Sequence, residues 1–352
     1  MLRKNNTMNT RNAYFDNAKF VLIFLVVFGH MISPYRTDSN GMLSIYHFIF
    51  IFHMPVFILL AGYFSKNFHK KGYYKKIFTK VALPYLAFQT IYTLYYSVLY
   101  TDETYTLQYL VPRWAMWFLL SLIFWKLMLP FFAKFPMWIS LTVSISLGLA
   151  MGFIDIDGFD KILSISRMFV FFPFFLLGYY LSQRQEPFTN LLTARNRIIA
   201  SIVLLVTLIG SYSFLDDTAY TDMLYGTNTY DNVAEFLMRV SHYGIAFLVS
   251  FAFMALIPTR GFALTSIGQR SLYVYLLHGF ILKWFFTTDF SKSLEPTSWG
   301  IIVLIALSIL VTMLLGSRIV DWFITGTKLI VQFVTPKKAI QKFSLAFKRT
   351  FS

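Results

Sequence analysis

Residues 11–33 read RNAYFDNAKFVLIFLVVFGHMIS, and the interval from Lys19 to His30 decides the fold class, because residues 20–29 carry no polar side chain. Extended slightly at either end, such a run reaches the roughly 20 apolar residues that carry a helix across a hydrocarbon core about 30 Å thick. The pattern recurs at 43–63, 77–100, 114–132, 137–154, 165–181, 198–214, 236–257, 271–286 and 299–320. Hydrophobic residues make up 57% of the 352-residue chain and charged residues 13%. The sequence therefore predicts an all-α, polytopic integral membrane protein of about ten transmembrane helices. Pro173 falls inside the sixth span, where a kinked membrane helix tolerates it. One membrane domain is expected over 1–327, followed by a basic cytoplasmic tail, 328–352, suited to the anionic inner leaflet.

The net charge of +15 is distributed by side. Counting ten spans places Arg3, Lys4 and Arg11, the cluster Lys66, Lys70, Lys71, Lys75, Lys76 and Lys80, and most later basic residues on one face. The opposite face holds only Arg36, Arg113, Lys161, Arg167 and Lys292, and it collects most of the acids, including Asp38, Asp102, Asp216 and Asp231. Cytoplasmic loops collect Lys and Arg, so both termini are expected inside. Charge laid out in this way argues against a nucleic-acid partner, and no groove-filling module accompanies it. The chain has no cysteine, which excludes disulfides, thiolate metal sites and a cysteine acyl-enzyme. The first apolar block lacks a small-residue cleavage motif and carries Lys19 and His30, so it is expected to remain as a helix.

Ionisable groups within membrane helices are costly and mark candidate functional sites. Eleven residues separate Lys19 from His30, close to three helical turns, so both side chains share one face about 16 Å apart along the axis. Asp16 precedes Lys19 by three positions and can pair with it. Lys19 lies at the cytoplasmic edge and His30 in the outer half. A cation at one end of the stripe and an imidazole deeper along it suit an elongated anionic donor approaching from the cytoplasm, a description that coenzyme A fits.

The segment from Arg11 through Asp16 and Lys19 to Gly29-His30 resembles the opening of the membrane-bound acyltransferase-3 family, most closely its fucose 4-O-acetylase-like branch. Further blocks follow in order: Phe52-His53-Met54-Pro55, Ala61-Gly62-Tyr63, Trp117-Phe118-Leu119, Phe174-Phe175-Leu176-Leu177-Gly178 and Tyr275-Leu276-Leu277-His278. Lysine stands at position 19, where arginine is more frequent; it keeps the charge but lacks the planar fork that grips a phosphate at two points. The resemblance implies transfer of an acyl group, usually acetyl, from cytoplasmic acyl-CoA to a sugar hydroxyl outside a bacterial cytoplasmic membrane. It makes His30 the expected general base or transient acyl acceptor, since a neutral imidazole can accept a proton. Lys19 and Arg11 would hold CoA phosphates, with Asp16 orienting Lys19 and Ser33 contacting the substrate one turn beyond His30.

The remaining polar groups admit plainer readings. Lys19 can simply snorkel, and Arg11 can serve orientation alone. His53 and His278 are secondary candidates whose alternative is a hydrogen bond between helices. Arg167 and Arg239 are expected on the outer substrate side. Lys126, His242 and Lys283 are further intramembrane polar groups. Histidines spaced as here, with no HExxH motif, do not predict a metal site, and no Gly-Lys phosphate loop predicts ATP-driven work. The Gly148/Gly152 pair is read as helix packing. Acyl-CoA is thus expected as a substrate rather than a resident cofactor, with a glycan or glycolipid as acceptor and lipids as surroundings. Nothing in the sequence fixes an oligomeric state. A transporter or flippase for a polysaccharide intermediate is the competing reading, although no inverted repeat is visible to support it.

Overall fold

The computed structural model describes residues 13–322 apart from 102–104, 157, 159–161, 185–187, 213–217 and 295–297. Arg11 and the tail at 328–352 lie outside the described residues. In chain order the helices are α1 (Ala13–Ile32), α2 (Asn40–Tyr63), α3 (Tyr73–Ile77), α4 (Leu83–Leu99), α5 (Trp117–Phe132), α6 (Met137–Ala150) and α7 (Ile165–Leu181). They continue as α8 (Ala194–Ser211), α9 (Thr218–Tyr225), α10 (Val233–Leu256), α11 (Thr265–Gln269), α12 (Ser271–Phe285), α13 (Asp289–Ser293) and α14 (Ser298–Leu315). No strand occurs among the described residues.

Each apolar stretch read from the sequence contains a helix, and seven are long and apolar enough to cross a membrane: Ala13–Tyr35, Asn40–Tyr63, Trp114–Phe132, Ile162–Leu181, Ala194–Ser211, Val233–Leu256 and Trp299–Trp322. The other three expected spans coincide with shorter helices, α4 of 17 residues, α6 of 14 and α12 of 15. The third is broken at its start: α3 leads into a π-helical turn, Phe78–Ala82, before α4 begins at Leu83. Helix α8 leaves Ile198, Ile202, Leu205, Val206 and Ile209 exposed. An apolar surface of that extent requires a nonaqueous neighbour, and the chain is a multi-pass membrane protein.

The interior is organised around α1, α2 and α7. Gly62 of α2 packs on the carbonyl of Phe175, and Gly178 of α7 packs on that of Leu59, each so closely that a Cβ would overlap backbone. These reciprocal glycines let two membrane helices touch main chain to main chain. Gly148 likewise sits against Phe169 and Val170 of α7, and Gly152 under the Tyr230 ring, so the GxxxG spacing does serve packing. The N-terminal end of α1 is latched by Asn17, whose Nδ2 donates to the carbonyls of Pro258 (2.8 Å) and Arg260 (2.9 Å) and whose Oδ1 accepts from Thr265 Oγ1 at 2.6 Å. Tyr14 adds a 2.7 Å bond to the Met254 carbonyl. This latch fixes the rotation of α1, and with it the direction in which His30 points.

Candidate active-site chamber

His30 faces a chamber of about 460 Å³ rather than the lipid. The volume lies within the roughly 300–1,000 Å³ usual for small-molecule sites. Its walls come from α1 (Val26, His30), the turn beyond it (Ser33, Pro34), α2 (Phe50, His53, Met54), the segment before α5 (Val111, Pro112, Trp114) and α5 itself (Trp117, Phe118). Ser164, Arg167 and Phe171 contribute from α7 and its approach, Leu224 and Tyr225 from α9, and Tyr275, Lys283 and Phe286 from α12 and its end. No aspartate or glutamate is among the lining residues.

Three histidines converge here from separate helices. The His30 ring stacks on that of His278 with centroids 5.5 Å apart and planes 26° from parallel, and it lies 4.7 Å from the Trp114 ring. His278 Nδ1 donates to the carbonyls of Val274 (3.0 Å) and Tyr275 (2.8 Å). Carbonyls only accept, so the proton sits on Nδ1 and Nε2 keeps its lone pair; that Nε2 is buried with no hydrogen-bond partner. His53 is fixed the same way, its Nδ1 donating to the Ile49 carbonyl at 2.8 Å. Both rings are thus held by carbonyls of their own helices rather than across helices; His53 lines the chamber, and His278 lies behind His30. The stacked arrangement of His30 and His278 does not aim two lone pairs at one ion, and no metal-holding cluster occurs among the described residues.

Backbone strain gathers at the same place. Trp114 (φ 43°), Leu163 (φ 56°) and Ser164 (φ 49°) are the described non-glycine residues with positive φ, and two of them line the chamber. Conformations of this kind cost about 1–3 kcal/mol each and persist where the surroundings over-determine them. The supports are visible: Leu163 N–H donates to the Leu110 carbonyl at 2.6 Å, and Met116 N–H donates to the Arg113 carbonyl at 2.8 Å, closing a turn over Trp114. Gly279 has no side chain where the Trp114 indole lies, which brings that ring against His278.

The predicted residues do not all meet. Arg167 reaches the chamber, over the faces of Trp117 (5.4 Å) and Tyr225 (5.8 Å). Ser33 lines it and accepts from Arg36 at 3.3 Å. Arg239 does not line it: 1% exposed, it lies beside the Tyr230 ring and 3.5 Å from the Asn228 carbonyl. Lys19 pairs with buried Asp16 at 2.8 Å, as expected, and lies 5.2 Å from the Phe64 ring centroid. Because α1 is unbroken, Lys19 and His30 do share a face. The chamber, however, reaches towards the start of α1 only as far as Val26, about 10 Å short of Lys19. Leu22 and Ile23, 0% and 1% exposed, fill the interval.

Sequence reasoning did not assign Trp114, Ser164, Tyr225 or Lys283 to this site. Lys283 is the one with a readable signal, an intramembrane cation just beyond His278; its ammonium lies 5.4 Å from the Trp114 ring centroid. Tyr225 comes from α9, a helix hidden in a polar loop, and its hydroxyl is hydrogen-bonded to that of Tyr46.

A helical membrane protein that buries an imidazole with available nitrogens in a walled chamber between its first, second and twelfth helices has the form of an enzyme working inside the bilayer. The chain belongs to the acyltransferase-3 family, whose acyltransferase domain matches residues 12–317. It is 28% identical over 195 residues to the nodulation protein NolL of Mesorhizobium japonicum, a match covering 50% of this chain and 49% of that protein. It is also 42% identical over 62 residues to the nodulation protein NolL of Sinorhizobium fredii, covering 17% of each. No solved structure matches the chain.

Proposed function

We propose that this acyltransferase moves an acyl group, most simply acetyl, from cytoplasmic acyl-CoA to a sugar hydroxyl of an extracytoplasmic or lipid-linked glycan, in a bacterial cytoplasmic membrane with both termini inside. One observation carries the reading: His30 opens onto a chamber walled by aromatic rings and two cations, in a chain of an acyltransferase family. In this scheme His30 accepts the proton of the acceptor hydroxyl as its oxygen attacks the thioester carbonyl. The CoA thiolate departs and the imidazolium returns the proton to it, so the balance closes without a further reactant. Lys283 faces the developing oxyanion, where a fixed positive charge in a poorly hydrated site stabilises the transition state most. Trp114, Trp117 and Tyr225 supply faces against which a sugar ring stacks, and Arg167 supports them. In this scheme the donor arm does not run straight along α1, where Leu22 and Ile23 are packed.

Mass spectrometry of the surface glycan from deletion and His30→Ala strains tests this. The expected outcome is a glycan that is exported but unacylated in both. Normal acylation in both strains eliminates the proposed transfer, and accumulation of unexported precursor supports the flippase reading instead.

A further inference from the structure

A second cavity, remote from the chamber, has a composition that calls for an anion. Between Asp38 and Asp102 the sequence contains no acidic residue, yet Lys66, Lys70, Lys71, Lys75, Lys76 and Lys80 crowd into its middle. The fold gathers part of this charge around a cavity of about 230 Å³, lined by Ser65, Lys70, Tyr73, Lys76, Lys80 and Lys126 among others, with no carboxylate on its walls. Three of the lysines come from the segment joining α2 to α4, and the fourth, Lys126, from the membrane helix α5. Lys126 donates to Ser65 Oγ at 2.7 Å, and Ser65 Oγ in turn donates to the Ala61 carbonyl at 2.8 Å. Tyr73 donates to the Lys126 carbonyl at 2.8 Å, fastening α3 across α5. The π-helical turn Phe78–Ala82 carries Lys80 to the rim, and such turns occur frequently at functional sites.

Four ammonium groups around one small cavity repel each other, and the one rooted in a membrane helix meets only a hydroxyl. A bound anion relieves both costs. The volume falls below the roughly 300–1,000 Å³ of pockets for whole drug-sized ligands, so it suits a phosphate or pyrophosphate rather than an entire nucleotide. The location adds a third argument. Phe64, on the cavity wall, also carries Lys19 over its ring at 5.2 Å. It lies ten residues beyond Met54 of the chamber, about 15 Å along α2. The sequence expectation of phosphate contacts at Lys19 is thereby extended to a built cavity beside it.

We infer that this cavity binds a phosphate-bearing group, supplied either by the pyrophosphate of the acyl-CoA donor or by an anionic lipid of the inner leaflet. The first source rests on the donor reading above; the second does not.

The full chain in phosphatidylcholine nanodiscs, with and without phosphatidylglycerol, separates the two sources. CoA binding and the phosphatidylglycerol-induced rise in Tm are measured for the wild type, His30→Ala and Lys76→Gln/Lys80→Gln, whose exposed positions spare the core. With donor phosphates as the ligand, the double variant loses at least tenfold in CoA affinity, inorganic pyrophosphate competes with CoA, and His30→Ala binds CoA normally. With lipid as the ligand, the double variant loses the Tm rise while CoA binding is unchanged or absent throughout. A double variant matching the wild type in both measurements overturns the inference. Binding is read without turnover, so failure of the transfer reaction leaves this result interpretable.

Discussion

At the scale of single residues, the Trp114 indole is placed to act on the charge state of His30. If the imidazole takes up a proton during transfer, the cation forms with its centroid 4.7 Å from the indole, inside the roughly 6 Å over which an aromatic face attracts a positive charge. Such an interaction contributes about 0.5–2 kcal/mol and is made only once the proton has moved. Trp114→Leu should therefore lower kcat roughly 2- to 30-fold and change the donor KM little, whereas Trp114→Phe should keep most of the rate. Steady-state kinetics in proteoliposomes check this; an unchanged kcat in the leucine variant removes the indole from the mechanism. His30 was legible in the sequence because a lone imidazole in an apolar helix, eleven residues from a lysine, is conspicuous on local spacing alone. Its partnership with His278 was not legible, since the two are brought together by the crossing of α1 and α12 and no local pattern encodes that. Arg239 illustrates the converse: its depth was readable, but the chamber's lining, which leaves it out, was not.

Among the helices, stability depends on how closely α2 and α7 approach. A methyl group at Gly178 would enter the space of the Leu59 carbonyl, and backbone cannot move aside as a flexible side chain can. Gly178→Ala should thus destabilise by an amount at or above the ~1–3 kcal/mol typical of overpacking, read as a lowered Tm of the detergent-solubilised protein. Gly244, inside α10, has nothing within 4 Å of an added Cβ. There the ordinary helix preference for alanine over glycine, about 0.5–1 kcal/mol, should leave Tm unchanged or raised. Equal losses at both positions would show that the crossing is not the determinant. Most of the helices were legible because apolar run length is a direct physical requirement of the bilayer. The π-helical turn before α4 and helix α9 were not, since one is an anomaly of hydrogen-bond register and the other sits in a polar loop whose composition resembles irregular chain. Yet α9 closes part of the chamber wall with Leu224 and Tyr225, so that wall was the less readable part of the site.

For the whole molecule, the asymmetry of charge predicts which face lies inside. The lysine-rich segment between α2 and α4 and the acid-bearing loop before α10 lie beyond opposite ends of the bundle if the spans are counted as ten, and positive loops stay on the side of synthesis. The count matters, because among the described residues only seven helices satisfy the length and hydropathy expected of a spanning segment. Were α4 or α6 to lie within one leaflet, every later loop, including the acid-bearing one before α10, would change sides relative to α1 and the lysine-rich segment. The chain contains no cysteine, so a single introduced thiol reports its own location without background. Lys71 and Asp231 are both exposed, and five other lysines of the cluster remain when Lys71 is replaced. In intact cells a membrane-impermeant maleimide should label Asp231→Cys and spare Lys71→Cys until the membrane is opened. The same response at both positions would mean that a span between them has been miscounted, and the reverse order would mean that the chain is inserted the other way round. The chamber and the lysine cavity would then no longer stand between a cytoplasmic donor and an outer acceptor, and the direction of transfer would have to be redrawn even with His30 as its base.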